Sequence, residues 1–211
     1  MPKNTIKETV GKKTLSVKGR PANPNLRDHL LESAVQVLLE HGLNGLSMIR
    51  VARLAKASKE TLYRNFGDKS GLLRAAVEKI ADMFVSLLSK ELDGKIGVDQ
   101  RLHQIAINYL SVAYAPQSVA LQRAAYGDAE LGPLFVKKVT NKVVYFVSNE
   151  FRALKRAQPE FEAEMFLGAV QGKLYNRVMF GESPPNLATA IQIQADGATK
   201  LFSLYLSNTS L

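Results

Sequence analysis

Between Val51 and Leu73 the chain leaves itself few conformational choices. Val51, Ala52, Arg53, Leu54 and Ala55 lead to Ser58, Lys59, Glu60, Thr61, Leu62, Tyr63, Arg64, Asn65 and Phe66, which are followed by Asp68, Lys69, Ser70, Gly71, Leu72 and Leu73. Ser58 and Asp68 are N-cap types, whose short side-chain oxygens accept from the orphan amides of a first helical turn. Leu62 and Phe66, four apart, form one apolar stripe on the helix that Ser58 opens. The spacing predicts a short helix, a tight turn and a second short helix, with Lys59, Glu60, Tyr63, Arg64 and Asn65 facing outward. Those outward types match what duplex DNA offers. Lys and Arg pair with phosphate or guanine edges, Asn with adenine, and a Tyr hydroxyl with a phosphate oxygen.

The order Ala52-x-x-Ala55-x-x-Ser58-x-x-Thr61-Leu62-Tyr63-x-x-Phe66-x-x-Lys69-x-x-Leu72-Leu73 resembles the signature of the TetR family of one-component transcriptional regulators. The likeness covers roughly residues 27–73, and Arg27 to Gly42 is similar to that family's first helix. It implies that Lys59, Thr61, Tyr63 and Asn65 approach the major groove and backbone, and that Lys69 clamps a phosphate at the start of helix four. It also implies an all-α chain of about nine helices with a helix-turn-helix at about residues 46–65. Residues 26–72 would form the DNA-binding head, and residues 73–211 a helical ligand-binding and dimerisation domain. Two positions depart from the pattern: Lys56 stands where the turn usually has glycine, and Glu60 where the second helix does. A non-glycine residue at positive φ costs about 1–3 kcal/mol, so Lys56 is either strained or follows another path.

The net charge of +9 is concentrated at one end of the 211 residues. Residues 1–27 carry seven basic side chains (Lys3, Lys7, Lys12, Lys13, Lys18, Arg20 and Arg27) against one acidic, Glu8. Clustered cations on a flexible segment bind polyanions by releasing condensed counterions. Residues 1–25 are polar, hold Pro2, Pro21 and Pro24, and lack apolar periodicity, so a disordered basic arm is expected there. Within it, Lys18-Gly19-Arg20-Pro21 resembles the core of the minor-groove element called an AT-hook, with an unstructured linker as the alternative. Cysteine is absent, which excludes disulfides and thiolate chemistry, and His29, His41 and His103 are the only histidines. No metal or other cofactor is therefore expected. No apolar run reaches the ~18 residues of a membrane span, and a cytoplasmic location is expected.

Taken in order, helix one should run from about Leu26 to His41, bury Leu30, Leu31, Ala34, Val35 and Leu38, and stop at Gly42. Ser47 should cap helix two, with Met48, Val51, Ala52 and Leu54 inward, Arg50 and Arg53 outward, and Ser47 and Arg50 in reach of phosphate. Helix four should extend to about Leu92 before Asp93-Gly94, burying Leu72, Leu73, Ala76, Ile80, Phe84, Leu87 and Leu88. Breaks at Pro116, Gly132-Pro133, Pro159 and Pro184-Pro185 then divide the rest into helices near 99–114, 117–130, 134–157, 160–181 and 186–207. Val143 to Val147 has strand propensity, but the apolar phase through Phe151 and Leu154 is helical.

The last helix carries two apolar stripes, Ala188, Ile191, Ala195, Ala198, Phe202 and Tyr205 on one and Ile193, Gly197, Leu201 and Leu204 on the other. Two apolar faces on one helix have two things to cover, its own domain and a twin. In the preceding helix Gly168 and Gly172 lie four apart and permit close helix approach. TetR-like chains pair through their last two helices, so the resemblance marks Gly168, Gly172, Ile191, Ala195, Ala198, Phe202 and Tyr205 as dimer-interface candidates. It likewise marks Phe84, Leu88, His103, Tyr109, Tyr126, Phe146 and Tyr175 as candidates to line an effector cavity. The expected partners are palindromic double-stranded DNA, a second copy of the chain and a small molecule. A TetR-type activator, or a regulator answering to a protein, is the alternative. An all-helical enzyme is disfavoured, because no paired catalytic carboxylates, nucleophile with base, phosphate loop or metal cluster can be pointed to.

Overall fold

A computed structural model describes residues 24–92 and 96–208. Ten α-helical segments and one π-helical turn build it, with no strand among the described residues. They are α1 (Pro24–Gly45), α2 (Met48–Leu54), α3 (Lys59–Phe66), α4 (Lys69–Leu88), α5 (Val98–Ala113), α6 (Pro116–Tyr126), α7 (Leu131–Phe135), the π turn (Val136–Thr140), α8 (Asn141–Ala153), α9 (Pro159–Met179) and α10 (Leu187–Asn208). Backbone in the right-handed region carries α7 through the π turn into α8 without interruption, so the described residues make nine rods. The fold is all-α, as expected.

Helix α1 buries Leu30, Leu31, Ala34, Val35 and Leu38. Gly42 does not end it. With φ 63° and ψ −171° it is a kink after which the rod continues to Gly45. Helix α2 turns Met48, Val51 and Ala52 inward, but Leu54, expected inside, is 41% exposed, and Leu46 and Ala55 take the buried places. The turn into α3 puts Lys56 at φ 51°. There Ala57 N–H donates to Ala52 O at 2.9 Å and Lys56 N–H to Arg53 O at 3.3 Å, the paired bonds of a left-handed helix C-terminus. The lysine thus follows the path a glycine would take, and the surrounding bonds offset its strain.

Helix α4 links the first three helices to the rest. Its Asp68 cap accepts from Gly71 N–H at 2.7 Å. Gly71 has no alternative, since an added Cβ would lie 1.9 Å from Phe66 O. The helix ends at Leu88, short of the expected Leu92, because Asn108 of α5 donates to Leu88 O at 3.1 Å and Lys90 O at 2.8 Å and draws those carbonyls out of the ladder. Asp93 and Gly94 lie outside the described residues. Twenty residues give a rod of about 30 Å. Its inner face carries Leu72, Leu73, Ala76, Val77, Ile80, Phe84 and Leu88, while Leu87, expected inside, is half-exposed.

Two apolar clusters result. One gathers α1, α2, α3 and the first half of α4, and continues into Leu121 and Ala125 of α6, Leu131 of α7 and Val139 of the π turn. The other joins the end of α4 to α5, α8, α9 and α10 around Phe151, Phe166 and Phe202. The segment expected at 117–130 is shorter, ending at Tyr126, and the one expected at 134–157 contains the π turn. On that turn and the start of α8, Lys138 and Lys142 pair with Glu78 and Asp82 of α4.

Helix α9 breaks at Gly172 (φ 48°, ψ −156°). Gln194 of α10 donates to the freed Ala169 carbonyl at 2.8 Å, and a Cβ at Gly172 would lie 2.4 Å from Gln194 Nε2. This glycine admits a side chain of its own molecule. The stripe Ile191, Ala195, Ala198 and Phe202 is likewise buried inside the chain, and Tyr205 bonds Glu162 and stacks near Phe202. Most of these candidates are thus occupied within the chain; Gly168 and Gly172 are both exposed, and of the two only Gly168 has open space where a Cβ would stand. The exposed apolar residues of the same two helices are Phe161 and Met165 on α9 and Ile193, Leu201 and Leu204 on α10.

Candidate functional site

The helix-turn-helix is built from two capped helices and the turn at Lys56. Ser47 Oγ accepts from Arg50 N–H at 3.2 Å to start α2, and Ser58 Oγ accepts from Thr61 N–H at 3.1 Å to start α3. Leu62 and Phe66 are buried beneath α3, and Arg27 of α1 lies over the Phe66 ring, 5.2 Å from its centre. A ring nitrogen of His29 sits 3.2 Å from Ala55 O, and it donates, since a carbonyl only accepts. These contacts fix the angle at which α3 stands off the head.

The outward face of α3 holds Lys59, Glu60, Tyr63 and Arg64, all exposed, with Tyr63 at 52%. Thr61 and Asn65 are half-buried. The Thr61 hydroxyl lies 3.0 Å from Ser58 Oγ, and the Asn65 amide donates to Thr61 O at 2.7 Å. Asn65 is thus folded back on its own helix, and any base contact from it would require the side chain to swing out. The Glu60 carboxylate is held below its usual pKa by its own backbone N–H, then by the Ser58 hydroxyl and by Lys59. It completes the helix cap. Lys69 stands exposed beside the Asp68 cap, in the first turn of α4.

Five exposed cations, Arg50, Arg53, Lys59, Arg64 and Lys69, cluster between residues 50 and 69 on α2, α3 and the first turn of α4, and none of them forms an ion pair among the described residues. Lys137, Lys155, Lys173 and Lys200 are likewise outside any ion pair, but they are spread through the rest of the chain. Unpaired cations around a projecting helix are what a polyphosphate requires. Lys18 and Arg20 lie outside the described residues.

A cavity of about 370 Å³ lies between the end of α4, α5, α6, the π turn and α9. Phe84, Tyr109, Tyr126 and Tyr175 line it, together with Gln122 and Gln171. Leu88, His103 and Phe146 do not line it. Leu88 is sealed in the body cluster, His103 bonds Asp196 on the outside at 2.7 Å, and Phe146 packs against the cluster's edge. Gln122, Gln171 and the π turn have no counterpart in the sequence reading, because a glutamine on a helix carries no distinguishing signal. Burial, first of all, pushes the hydroxyls of Tyr109, Tyr114 and Tyr175 above the ordinary tyrosine pKa. A larger trough of about 680 Å³ runs between α1, α4 and the turn joining α5 to α6, rimmed by Glu32, Glu40 and Lys79. It is open and mainly apolar, and the aromatic cavity, with its converging hydroxyls and amides, is the better ligand site. No group of acidic, histidine or cysteine side chains that could hold a metal occurs among the described residues.

A capped, projecting helix on a compact helical head, coupled by one long helix to a second helical bundle, defines a helix-turn-helix DNA-binding regulator. Family comparison places it more closely. Residues 30–76 match the model of bacterial regulatory proteins of the tetR family, and residues 100–205 match that of the AefR-like transcriptional repressor C-terminal domain. The chain belongs to the TetR family of transcriptional regulators. It is 23% identical over 150 residues to an HTH-type transcriptional regulator of Staphylococcus aureus strain MRSA252, covering 71% of this chain and 80% of that one. Over 49 residues it is 47% identical to the DNA-binding transcriptional repressor TetR of Mycobacteroides abscessus, a match that spans 23% of this chain and 26% of the repressor. A TetR-family regulator from Mesorhizobium loti shares the fold with a TM-score of 0.75 at 22% identity, over 86% of this chain and 96% of its own. The chain is a DNA-binding transcriptional regulator and not an enzyme. No described helix is long and apolar enough to cross a membrane.

Proposed function

We propose that the chain is a homodimeric repressor that occupies a palindromic operator and leaves it when a small molecule fills the aromatic cavity. The cluster of exposed cations Arg50, Arg53, Lys59, Arg64 and Lys69 on and beside α3 carries the DNA-binding part of this reading. Residues 26–72 act as the reading head and residues 73–211 as the ligand-binding and dimerisation body. Tyr63, Arg64, Lys69, Ser47 and Arg50 hold phosphates, while Lys59, Thr61 and Asn65 reach base edges, with Glu60 keeping the helix end capped. Lys18 and Arg20 of the basic arm add a minor-groove contact. The operator lies where the DNA lies, in a bacterial cytoplasm.

Pairing places Phe161, Met165 and Gly168 of α9 against Ile193, Leu201 and Leu204 of α10 in the twin subunit. Their exposure supports this, because several large apolar side chains on two packed helices are costly to leave in water. Two heads then read half-sites about one helical turn, ~34 Å, apart.

Release uses the walls of the cavity. Ala125 and Val139 line it and also belong to the apolar cluster of the head, and the π turn that carries Val139 is tied to α4 through Lys138 and Lys142. A ligand that fits better when these walls move outward shifts the pair toward splayed heads, and weakens DNA binding by the same factor as DNA weakens its own.

The test is fluorescence anisotropy on a labelled operator duplex. Tyr63→Ala should weaken binding to every sequence equally, whereas Lys59→Ala and Asn65→Ala should also flatten the preference for operator over scrambled DNA. Unchanged affinity in all three variants rejects the assignment of α3.

A further inference from the structure

The polar atoms of the aromatic cavity form a directed chain, and the direction is fixed by the structure. Gln122 Nε2 lies 2.8 Å from Ala113 O and 3.2 Å from Ser118 O. Both carbonyls only accept, so both amide hydrogens are committed and Oε1 can only accept in turn. Tyr175 donates to that oxygen at 3.0 Å. With its one hydrogen used, Tyr175 must receive the hydrogen bond from Tyr126, whose hydroxyl oxygen is 2.9 Å away. The chain therefore ends on the Tyr126 oxygen, which has given its hydrogen inward and offers lone pairs outward. On the other wall Gln171 Nε2 donates to the Tyr109 hydroxyl at 2.5 Å, which leaves the Tyr109 O–H free to donate. One end of the cavity accepts and the other donates.

None of the fourteen residues that line the cavity is Asp, Glu, Lys, Arg or His. Tyr126, 72% exposed, stands at the open mouth and Tyr109 is buried, so an ionised group carried inward to Tyr109 would lose its water without gaining a counter-charge. The raised pKa values of Tyr109 and Tyr175, caused mainly by burial, keep these hydroxyls neutral at any ordinary pH. Phe84 and Phe135 supply aromatic surface, and the volume of about 370 Å³ sits at the small end for a ligand site.

We infer that the effector is an uncharged aromatic compound of two or three rings, bearing a hydroxyl that donates to Tyr126 and a second oxygen that accepts from Tyr109. This rests on the proposal that the cavity holds the effector, and goes further by naming its chemistry. The same lining that accepts a phenol offers carboxylates, phosphates and ammonium compounds no counter-charge and so binds them more weakly.

The experiment is calorimetric titration of the full-length protein at pH 7 with 2,7-dihydroxynaphthalene, its dimethyl ether and 2-naphthoate. The diol should bind about tenfold more tightly than the ether, which cannot donate, and the carboxylate should bind more weakly than either. Tyr126→Phe should bring the diol down to the level of the ether and leave the ether, which receives no hydrogen bond from Tyr126, unchanged; a mere packing role would not do this. Equal affinities for diol and ether, tighter binding of the carboxylate, or no binding of any probe overturns the inference. Repeating the titrations on the operator complex separates the two proposals. A diol that binds as expected but leaves operator affinity unchanged upholds the ligand chemistry and rejects its role in release, whereas release by the carboxylate alone does the reverse.

Discussion

Replacing Lys69 by alanine separates DNA binding from folding in one variant. Lys69 is exposed in the first turn of α4, against the positive end of that helix's dipole. A cation there disfavours the free protein by about 0.3–1 kcal/mol, so Lys69→Ala should melt at the same temperature or slightly higher. On DNA the sign reverses. Removing one cation from a phosphate makes the slope of log K against log salt shallower by about 0.9. A dimer gives up two such anchors, so the slope should fall by about 1.8. Between 50 and 200 mM salt the deficit of the variant relative to wild type should therefore shrink about tenfold. Anisotropy titrations of one operator duplex across that range supply the slopes, and differential scanning calorimetry the melting temperature. A change of about 0.9 would mean a single head on the DNA. An unchanged slope, or a lower melting temperature with the affinity deficit constant in salt, would refute the phosphate role.

Neighbouring residues of α10 offer a second pair of outcomes. Leu201→Glu, on the exposed face, should leave the subunit folded but shift light-scattering mass from dimer to monomer, whereas Phe202→Ala, buried against Phe151 and Phe166, should cost about 3–5 kcal/mol in denaturant unfolding. Deleting residues 1–24 should lower affinity most on A·T-flanked operators without lowering the melting temperature; equal affinity on all flanks reduces the arm to a linker. The buried tyrosines give a pH signature. Because the folded pKa of Tyr109, Tyr114 and Tyr175 is raised above 10.0, the stability they contribute is complete below that pH and is lost as pH climbs through the folded values. Urea midpoints should be flat from neutral pH to about 10 and fall beyond it, and the fall should be smaller in Tyr175→Phe.

The head is legible in the sequence because short-range rules govern it. Ser47, Ser58 and Asp68 are caps in the sequence and in the structure, and the buried faces of α1 and α3 follow their apolar spacing. Local rules fail where a distant partner decides. Helix α4 stops early because of Asn108, which lies twenty residues beyond Leu88. Gly42 bends a helix that its residue type suggests it should end, since nothing in the sequence distinguishes a kink from a stop. In α10 the two apolar stripes are both visible, but periodicity cannot say which one faces inward. The larger set, through Phe202, is the core. The cavity is half legible for a similar reason, since its aromatics announce themselves, while Gln122, Gln171 and the extra residue of the π turn acquire meaning only from the carbonyls and helices around them.

Selection of bound fragments from random duplex DNA tests the central claim most directly, because it demands recognition and symmetry together. The account predicts enrichment of an inverted repeat whose half-sites lie about 10 bp apart centre to centre, or at a related groove-matching distance, with the enrichment abolished by Lys59→Ala together with Tyr63→Ala. Recovery of no common sequence at low salt, or of a single unrepeated half-site, would contradict it.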